Sequence, residues 1–255
     1  MFPRVWPDRT NCKAAKVAYP TTEEELIKAV AYASEHNLKV KTVTRFSGTI
    51  PKLACPSGSD AMLISTSKYN SAIEIEPDQL TVTADSGVSL RELIDKVEEA
   101  AFSLATSPYW EGVSIRGLVS TGSHGSSWSG RGGSVHDHVV GINLVVPATS
   151  SEGYAKVKLS IEKAFKRSIT YNFTSDVALE DMFMEHGKKF EFGDITWYPS
   201  RKTAVYRYDL RSPDDVSGNG VNDFIEKALE TSKSENGKCK TADTTLAYKK
   251  LTGNG

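Results

Sequence analysis

The chain has 255 residues, enough for one large domain or for one domain with part of another. Hydrophobic residues make up 39% and charged residues 25%, and 31 basic against 32 acidic residues give a net charge of -1. This balance excludes the broad basic surface typical of nucleic-acid-binding proteins. No apolar run approaches the roughly 20 residues that a membrane-spanning helix needs. The start, Met1 to Arg9, contains prolines and charges and does not match a secretory signal.

Two small features bear on the compartment. The three cysteines, Cys12, Cys55 and Cys239, include no Cys-x-x-Cys pair, so we expect no zinc site. Either Cys12 and Cys55 form a disulfide in an oxidising compartment, leaving Cys239 over, or the cysteines are buried thiols. The triplet Asn172-Phe173-Thr174 fits the N-glycosylation pattern, although such triplets also arise often by chance.

Local patterns predict alternating helices and strands. A threonine followed by three glutamates indicates a helix start, because the hydroxyl caps free N–H groups and the carboxylates suit the positive end of the helix dipole. Spacing of three to four between apolar residues predicts helices, and simple alternation predicts strands. In chain order we expect a helix from Thr21 or Thr22 to about His36, strands at Leu38–Val43, Met62–Ile64, Ala72–Glu76 and Leu80–Asp85, a helix at Leu90–Ala101 capped by Ser89, and strands at Val139–Val146, Ile195–Tyr198 and Ala204–Leu210.

These elements predict one mixed domain, α+β or α/β, that fills residues 14–150. The final stretch, residues 231–255, is rich in Lys, Ser, Thr and Gly and has few large apolar residues. Such a composition cannot bury enough apolar surface to offset the entropy of ordering, so we expect a disordered or loosely attached tail.

The segment from Trp110 to Val146 is unusually rich in glycine. Seven of the 19 glycines fall within 22 residues, and glycine weakens both helices and strands, so this density needs a reason. A flexible linker is one interpretation, but apolar residues such as Ile115 and Leu118 interrupt the segment, which leads straight into an apolar strand. We therefore favour a backbone that approaches a ligand closely and directs N–H groups at it.

The glycines fit neither of two common nucleotide-binding motifs. A Walker P-loop needs Gly-Lys-Ser/Thr, and no such triplet follows them. A dinucleotide fingerprint needs Gly-x-Gly-x-x-Gly after a strand, and the spacing of Gly112, Gly117 and Gly122 is different. ATP and nicotinamide cofactors are therefore disfavoured.

Several polar and aromatic side chains have simpler structural explanations. We expect His124 to shape its loop or to hydrogen-bond near a ligand rather than to act as a base. We expect no metal at His136 and His138, because we take that stretch as strand-like, with neighbouring residues on opposite faces. Trp197 and Tyr198 are expected to pack in paired strands rather than to stack on a sugar ring.

Three motifs and their order carry a family resemblance. They are Thr44-Arg45-Phe46-Ser47-Gly48-Thr49-Ile50-Pro51-Lys52-Leu53-Ala54-Cys55, then Ser86-Gly87-Val88-Ser89-Leu90-Arg91-Glu92-Leu93, then the stretch from Ser107-Pro108-Tyr109-Trp110 through Ser114–Ser127 to His136-Asp137-His138-Val139-Val140. Together they resemble the two flavin loops, and the turn and helix between them, of the vanillyl-alcohol oxidase superfamily. Trp6-Pro7-Asp8-Arg9 and Asp194-Ile195-Thr196-Trp197-Tyr198-Pro199 are similar to plant L-gulonolactone oxidase-like proteins in its aldonolactone oxidase branch.

The resemblance implies a PCMH-type FAD-binding domain of two α+β subdomains over residues 14–150, with FAD between them. It implies that residues 165–230 are a fragment of the C-terminal substrate region. The FAD-binding residues that it implies are Phe46, Ser47, Gly48, Thr49 and Ile50 on one side, Ser107, Gly112, Ser114, Ile115, Gly117, Gly122, Ser123 and His124 on the other, and Val140 near the flavin or ribityl group.

Departures from the family pattern modify this expectation. Many relatives attach FAD covalently through a histidine, and Gly48 stands in that position, so the resemblance implies non-covalent FAD. Arg116 replaces a common glycine and either clashes with the pyrophosphate or swings outward. After Val157 the chain passes at once to sequence that resembles a region well downstream, which implies an internal deletion and an incomplete second subdomain. We find no match to the family's catalytic motif and assign no catalytic residue.

The implied function is that of an FAD-dependent oxidase of a sugar lactone, linked to ascorbate synthesis, with oxygen or another acceptor reoxidising the flavin. The alternative is a catalytically inactive FAD-binding remnant or truncated gene product. Relatives that oxidise cytokinins or alkaloids match less well in the flanking motifs. The family suggests the secretory route or membrane association, although the chain carries neither a signal peptide nor an apolar segment.

Overall fold

A computed structural model describes residues 14–44, 55–56, 58–108, 111–126, 133–146 and 153–212. These ranges contain four α-helices and eleven β-strands, which confirms the predicted α+β class. The chain divides into two compact units: residues 1–105, 111–123 and 138–162 form the first, and residues 106–110, 124–137 and 163–255 form the second. Within the described ranges, no helix is long and apolar enough to cross a membrane.

The first unit begins with a three-stranded parallel sheet covered by a helix. Its elements are β1 (Lys16–Ala18), α1 (Glu23–Glu35), β2 (Lys39–Val43) and β3 (Ala61–Ser65), with strand order β1-β3-β2. Thr22 caps α1 by accepting a hydrogen bond from the Glu25 N–H at 3.2 Å. Leu26 and Val30 of α1 share a buried cluster with Met62 and Ile64 of β3. The central strand β3 is buried along its whole length.

A five-stranded sheet and two helices complete the first unit. The elements are β4 (Ile73–Glu76), β5 (Thr81–Asp85), α2 (Leu90–Glu99), β6 (Phe102–Leu104), α3 (Ile115–Ser120), β7 (Val139–Val145) and β8 (Gly153–Lys163). The strand order is β4-β5-β8-β6, and β7 also pairs with β8. Ser89 caps α2 through a reciprocal capping box with Glu92. Alternation buries Val157 and Leu159 of β8, opposite Ala84 and Val82 of β5.

The second unit contains a three-stranded antiparallel sheet and one helix. Its elements are β9 (Lys166–Ser175), α4 (Leu179–Lys189), β10 (Phe192–Tyr198) and β11 (Thr203–Ser212), in the order β10-β11-β9. Helix α4 directs His186 onto one face of this sheet, where the ring centroid lies 5.3 Å from that of Tyr206 and 5.2 Å from that of Tyr208. Ten residues of β9 pair with β11.

Most of the predicted elements are present. The predicted helices correspond to α1 and α2, the four early strands to β2–β5, and the later strands to β7, β10 and β11. Six further elements were not predicted, and they are β1, β6, α3, β8, β9 and α4. The expectation for His136 and His138 was wrong in one respect, because they lie on a 3-10 turn, Val135–His138, rather than on a strand-like stretch. Trp197 lies on β10 as expected but remains 54% exposed.

Cys55 is disulfide-bonded, which favours the disulfide alternative for at least this cysteine. Cys12, the partner that the sequence suggests, lies outside the described residues, as do Cys239 and the predicted tail at 231–255.

Candidate functional site

The expected FAD-binding residues divide among three locations. Phe46, Ser47, Gly48, Thr49 and Ile50 lie outside the described residues. The first unit contains Gly112, Ser114, Ile115, Gly117, Gly122, Ser123 and Val140, whereas Ser107 and His124 belong to the second unit. The described geometry therefore concerns the residues that flank the first flavin loop and, in the second flavin-loop motif, residues 107–108 and 111–126.

A chain of hydroxyl groups links the two flavin-loop motifs. Ser114, at the N-terminus of α3, donates a hydrogen bond to Thr44 Oγ1 at 2.8 Å, although 70 residues separate them. Thr44 Oγ1 in turn lies 2.9 Å from Thr66 Oγ1, and Ser65 Oγ donates to the Thr44 carbonyl at 2.9 Å. Because Thr44, Ser65 and Thr66 are buried, the bonds among them are protected from water, whereas the bond from Ser114 is partly buried. Ser65 and Thr66 lie outside the motifs, and no sequence pattern indicated their role.

The N–H groups that open α3 are hydrogen-bonded within the chain. Ile115 N–H donates to the Val88 carbonyl at 2.9 Å, and Arg116 N–H donates to the Ser86 carbonyl at 3.0 Å. Gly117 N–H donates to Ser114 Oγ at 3.1 Å. These donors attach α3 to the Ser86–Val88 turn. The described residues at this point therefore fit FAD as a supporting frame, not as direct phosphate donors.

The turn before α2 depends on a glycine. A Cβ atom on Gly87 would lie 1.9 Å from the Thr66 carbonyl oxygen and 2.5 Å from that of Tyr69, and both obstacles are backbone atoms. This close approach allows Gly87 N–H to donate to the Tyr69 carbonyl at 2.9 Å. The neighbouring Asp85 is buried and accepts from the Ala72 N–H at 2.8 Å. Burial, followed by the Asp85 charge, raises the pKa of Tyr69.

Arg116 turns towards β2. Its Nη2 donates to Thr42 Oγ1 at 2.5 Å. Thr42 lies near the end of β2, two residues before the first flavin-loop motif begins. The guanidinium therefore adds a fixed positive charge beside the strand that leads into that loop.

His124 and Ser107 belong to a compact loop junction in the second unit. His124 pairs with Ser134 as an isolated bridge, and its Nδ1 lies 2.9 Å from the Gly125 carbonyl oxygen. A Cβ on Gly125 would lie 2.4 Å from Thr106 Oγ1 and 2.8 Å from the Ser107 carbonyl oxygen. Gly125 is therefore a point of close approach between two loop segments.

His136 and His138 are the histidines at which the sequence raises the possibility of a metal site. Among the described residues, no group of three or more His, Cys, Asp or Glu side chains is arranged to hold a metal ion. His136 is exposed and lies within 2.9 Å of Ser134 Oγ through Nδ1. His138 is buried, with Nδ1 3.5 Å from Ser160 Oγ.

Val140 lies on an accessible apolar stripe of β7. Its side chain is 52% exposed, and Ile142 and Leu144, at the alternate positions along the strand, are 38% and 43% exposed. The pairing with β8 shifts register between Val139 and Gly141, which makes Val140 the bulged residue. Val140 is therefore open to an apolar ligand in a way that the core strands are not.

A charge cluster occupies the middle of the second-unit sheet. Asp209, fully buried on β11, pairs with Arg207 at 2.9 Å and with Arg167 at 2.7 Å. Arg207 also pairs with Asp194 at 3.0 Å and donates to Ser126 Oγ at 3.0 Å. The register places Arg167, Arg207, Asp194 and Asp209 on one face of the sheet. Only the alternation of charges in β11 could have indicated this cluster from the sequence.

Burial changes the pKa of two titratable groups beside this cluster. It raises the pKa of Asp194, and the attraction of Arg207 partly opposes the shift. It lowers the pKa of His186, while the hydrogen bond of Nε2 to the Arg207 carbonyl oxygen at 3.1 Å opposes that shift. A cavity of about 30 Å³ lies between His186, Ser126 and Gly193. That volume suits one water molecule, not a sugar lactone.

Sequence comparison places these features in a known family. A profile described as FAD binding domain matches residues 14–150. L-gulonolactone oxidase 3 of Arabidopsis thaliana is 72% identical over 294 aligned positions, covering 98% of this chain and 50% of the relative. L-gulonolactone oxidase 5 of the same plant is 36% identical over 94% of the chain and 48% of its own length. The chain thus spans about half the length of these relatives.

Solved structures agree on the fold. Cholesterol oxidase from Brevibacterium sterolicum superimposes with a TM-score of 0.64 at 16% identity, covering 93% of this chain and 56% of that one. Alkyldihydroxyacetonephosphate synthase gives 0.64 at 14% identity, covering 91% and 54%. At such identities the likeness concerns the fold alone. The motifs, the fold and the profile match together show that the chain belongs to the FAD-binding domain family of oxidoreductases, with the PCMH-type fold, and is L-gulonolactone oxidase-like.

Proposed function

We propose that the chain binds FAD non-covalently and oxidises a sugar lactone of the L-gulono-1,4-lactone type in the direction of ascorbate. The observation that carries this proposal is the 72% identity to Arabidopsis L-gulonolactone oxidase 3 along 98% of the chain. Bound FAD supplies the acceptor for a hydride from the lactone, and oxygen or another acceptor reoxidises it. The protein binds and orients the two reactants.

The expected FAD-binding residues then have two roles. Phe46–Ile50 hold the pyrophosphate through backbone donors, opposite Gly112, Gly122 and the Ser123 hydroxyl, since the Ser123 N–H donates to the Leu118 carbonyl. Ser107 and His124 contribute from their loop junction. The frame residues Ser114, Ile115 and Gly117 position the second loop, because their polar groups are hydrogen-bonded to the chain itself. Val140 contacts the flavin or ribityl group from its exposed site on β7.

Non-covalent attachment follows from Gly48. Glycine has no side chain that could bond to the flavin, and many relatives have a histidine in this position. We propose that affinity therefore depends on backbone donors and on apolar contacts such as Val140.

The cofactor proposal is tested by the visible spectrum of the purified chain after incubation with FAD and desalting. Retained flavin that acid precipitation releases is the expected result. Flavin that stays with the precipitate would contradict non-covalent binding, and complete loss of flavin on desalting would contradict binding itself.

A pair of variants tests the role of Val140. We expect Val140→Lys to weaken FAD binding about tenfold, because a charge would be placed against an apolar ligand, and tenfold corresponds to about 1.4 kcal/mol. Val17→Lys, a 43% exposed valine on β1 and away from this stripe, is the matched control and should leave FAD affinity within about twofold. Equal weakening by both variants would contradict a specific contact at Val140.

A second candidate function is FAD binding without lactone turnover. The alignment with the Arabidopsis relative extends over 294 positions, more than the 255 residues of this chain, so the relative has residues in the matched stretch that this chain lacks. We place this gap after Val157, where it leaves the second FAD subdomain incomplete, and we assign residues 165–230 to the C-terminal substrate region. Lactone added without oxygen separates the candidates: bleaching of bound flavin supports the oxidase, and unchanged absorbance supports the binding protein.

A further inference from the structure

The triplet Asn172-Phe173-Thr174 is the only Asn-x-Ser/Thr sequence in the 255 residues. The structure places it on β9, the edge strand of the second-unit sheet. Chance triplets are frequent, so the triplet alone carries little. Its position and surroundings provide further observations, which distinguish an accessible glycan acceptor from a chance triplet buried in the fold.

Both required side chains are accessible and lie on the same face. Asn172 and Thr174 are exposed, and they pair in register with Tyr206 and Ala204 of β11. Because alternate residues of a strand share a face, the amide and the hydroxyl project together. The Asn172 Nδ2 makes one long hydrogen bond, 3.4 Å to the Tyr208 hydroxyl, at the weak end of the usual range. Little interaction would therefore be lost by modifying this amide.

The edge position leaves room for a bulky group. β9 pairs with β11 along ten residues, and within the described part of the chain no strand pairs with its other edge. Three consecutive neighbours, Phe173, Thr174 and Ser175, are exposed as well. A group attached at Asn172 can extend into solvent without displacing a neighbouring element.

The disulfide at Cys55 is an independent indication of the compartment. Disulfides persist in oxidising environments such as the secretory route and are rare where thiols are kept reduced. Oligosaccharide transfer to asparagine belongs to secreted proteins as well. Two unrelated features of the chain therefore indicate the same environment.

We propose that Asn172 is an N-glycosylation site. In the reaction, the Asn172 Nδ2 forms a bond to the anomeric carbon of an oligosaccharide carried on a lipid pyrophosphate. The bond from that carbon to the pyrophosphate oxygen breaks, the lipid pyrophosphate leaves, and the amide loses one proton. No electron transfer occurs. This site is independent of the proposed lactone oxidation.

The test expresses the full chain behind a cleavable signal peptide in a eukaryotic secretory host, and maps peptides by mass before and after peptide-N-glycosidase digestion. We expect a glycan on Asn172 and its removal by the enzyme. Thr174→Ser should keep the glycan, whereas Thr174→Ala should lose it although Asn172 is intact. Asn143, exposed on β7 but not followed by Ser or Thr at the second position, is the internal control and should stay unmodified.

Two results would overturn the proposal. One is an unmodified Asn172 in chains that have entered the secretory lumen. If the chain is not exported, the peptide masses are measured on protein isolated from the lumen. The other is a glycan found only on chains in which Cys55 is reduced, because the folded structure would then not accommodate it. Glycosylated chains with Cys55 oxidised support the proposal.

Discussion

The two units hold their central residues by different means. In the first unit, neutral groups form the junction between the flavin-loop motifs, through the Ser114, Thr44 and Thr66 hydroxyls and the backbone around Gly87. In the second unit, charged groups occupy the middle of the sheet, where Asp209 pairs with Arg207 and Arg167. The first arrangement leaves no space for a larger side chain at Gly87. The second requires every buried charge to keep its ion-pair partner.

This difference predicts different sensitivities. A neutral, close-packed junction should respond to changes of volume and little to pH, since none of its hydroxyls titrates in the ordinary range. A buried charge cluster should tolerate small changes of shape but not the removal of one charge, because an unpaired buried charge is costly. Variants of both kinds can therefore break or confirm the comparison.

The largest effect is expected from Gly87→Ala. The new Cβ would meet two backbone carbonyl oxygens, at 1.9 Å and 2.5 Å, and neither can rotate away as a side chain could. We expect a loss of about 4 kcal/mol of unfolding free energy or more, in the range reserved for severe core disruption. Urea unfolding of the purified chain measures it, and soluble yield gives a second reading if little folded protein remains.

Gly141→Ala is the matched control, since its Cβ would lie at an ordinary 3.4 Å from Lys158 Cβ. We expect a change of less than about 1 kcal/mol at this position. Similar losses for the two variants would show that close approach at Gly87 is not what holds the junction.

The second effect concerns Asp209→Asn, which preserves size and removes the charge. Arg207 and Arg167 would then lack the carboxylate between them, and Asp209 is fully buried. We expect a loss of about 3 kcal/mol, as for breaking other buried ion pairs. Hydrogen exchange read by mass spectrometry should show it in peptides from β9 and β11 before those of the first unit.

Glu191→Gln provides the contrast for Asp209. Glu191 pairs with Arg211 at 2.8 Å, but both side chains are about a third exposed to solvent. Surface pairs contribute roughly 0 to 1 kcal/mol, so the loss should stay below about 1 kcal/mol. A loss equal to that of Asp209→Asn would indicate that burial does not set the strength of these pairs.

The third effect, smaller again, is that of Ser114→Ala. The change removes the cap of α3 and the donor to Thr44 Oγ1. Loss of a cap costs about 1 kcal/mol, and Thr44 Oγ1 also loses one of its two hydrogen bonds, so we expect about 1.5 kcal/mol in urea unfolding. Thr121→Ala, which removes an exposed hydroxyl at the other end of α3, should cost less than about 0.5 kcal/mol.

The sequence allowed much of the first unit to be predicted. Periodicity and capping identified α1 and α2, because each is long enough to show its apolar face and each begins with a side-chain cap. Helix α3 was missed because its six residues include Gly117 and are too few for a periodic signal. It is stabilised by non-local hydrogen bonds to the turn at Ser86–Val88.

The sequence indicated less of the second unit, because its contacts join distant positions. β9 is polar and exposed at most positions and lacks the alternation that identifies a half-buried strand. Helix α4 carries Leu179, Met182 and Phe183 at helical spacing, but Met182 and Phe183 are exposed, and His186 is the side chain that its described residues bury. The Arg207 cluster joins residues from β9, β10 and β11, and their pairing depends on register, which local patterns do not specify.

The smallest expected effect is a pH dependence confined to the second unit. Burial lowers the pKa of His186 from 6.5, with the Lys189 charge acting in the same direction, so the folded protein favours the neutral ring. The unfolded chain therefore binds a proton more readily just below pH 6.5, and the stability contributed by His186 is complete above that pH and is lost as the pH falls through this window. Asp194 has the opposite sign: burial raises its pKa from 3.8, so its contribution is present below that value and is lost as the pH rises through the raised pKa. We expect the free energy of unfolding of the second unit to fall as the pH is lowered from about 6.5 to about 5, just below the ordinary range of histidine, and His186→Gln to flatten that slope. The first-unit transition is the internal reference and should stay level over the same range. A slope that persists in the His186→Gln variant, or that appears equally in both units, would break the contrast between a neutral junction and a titratable sheet.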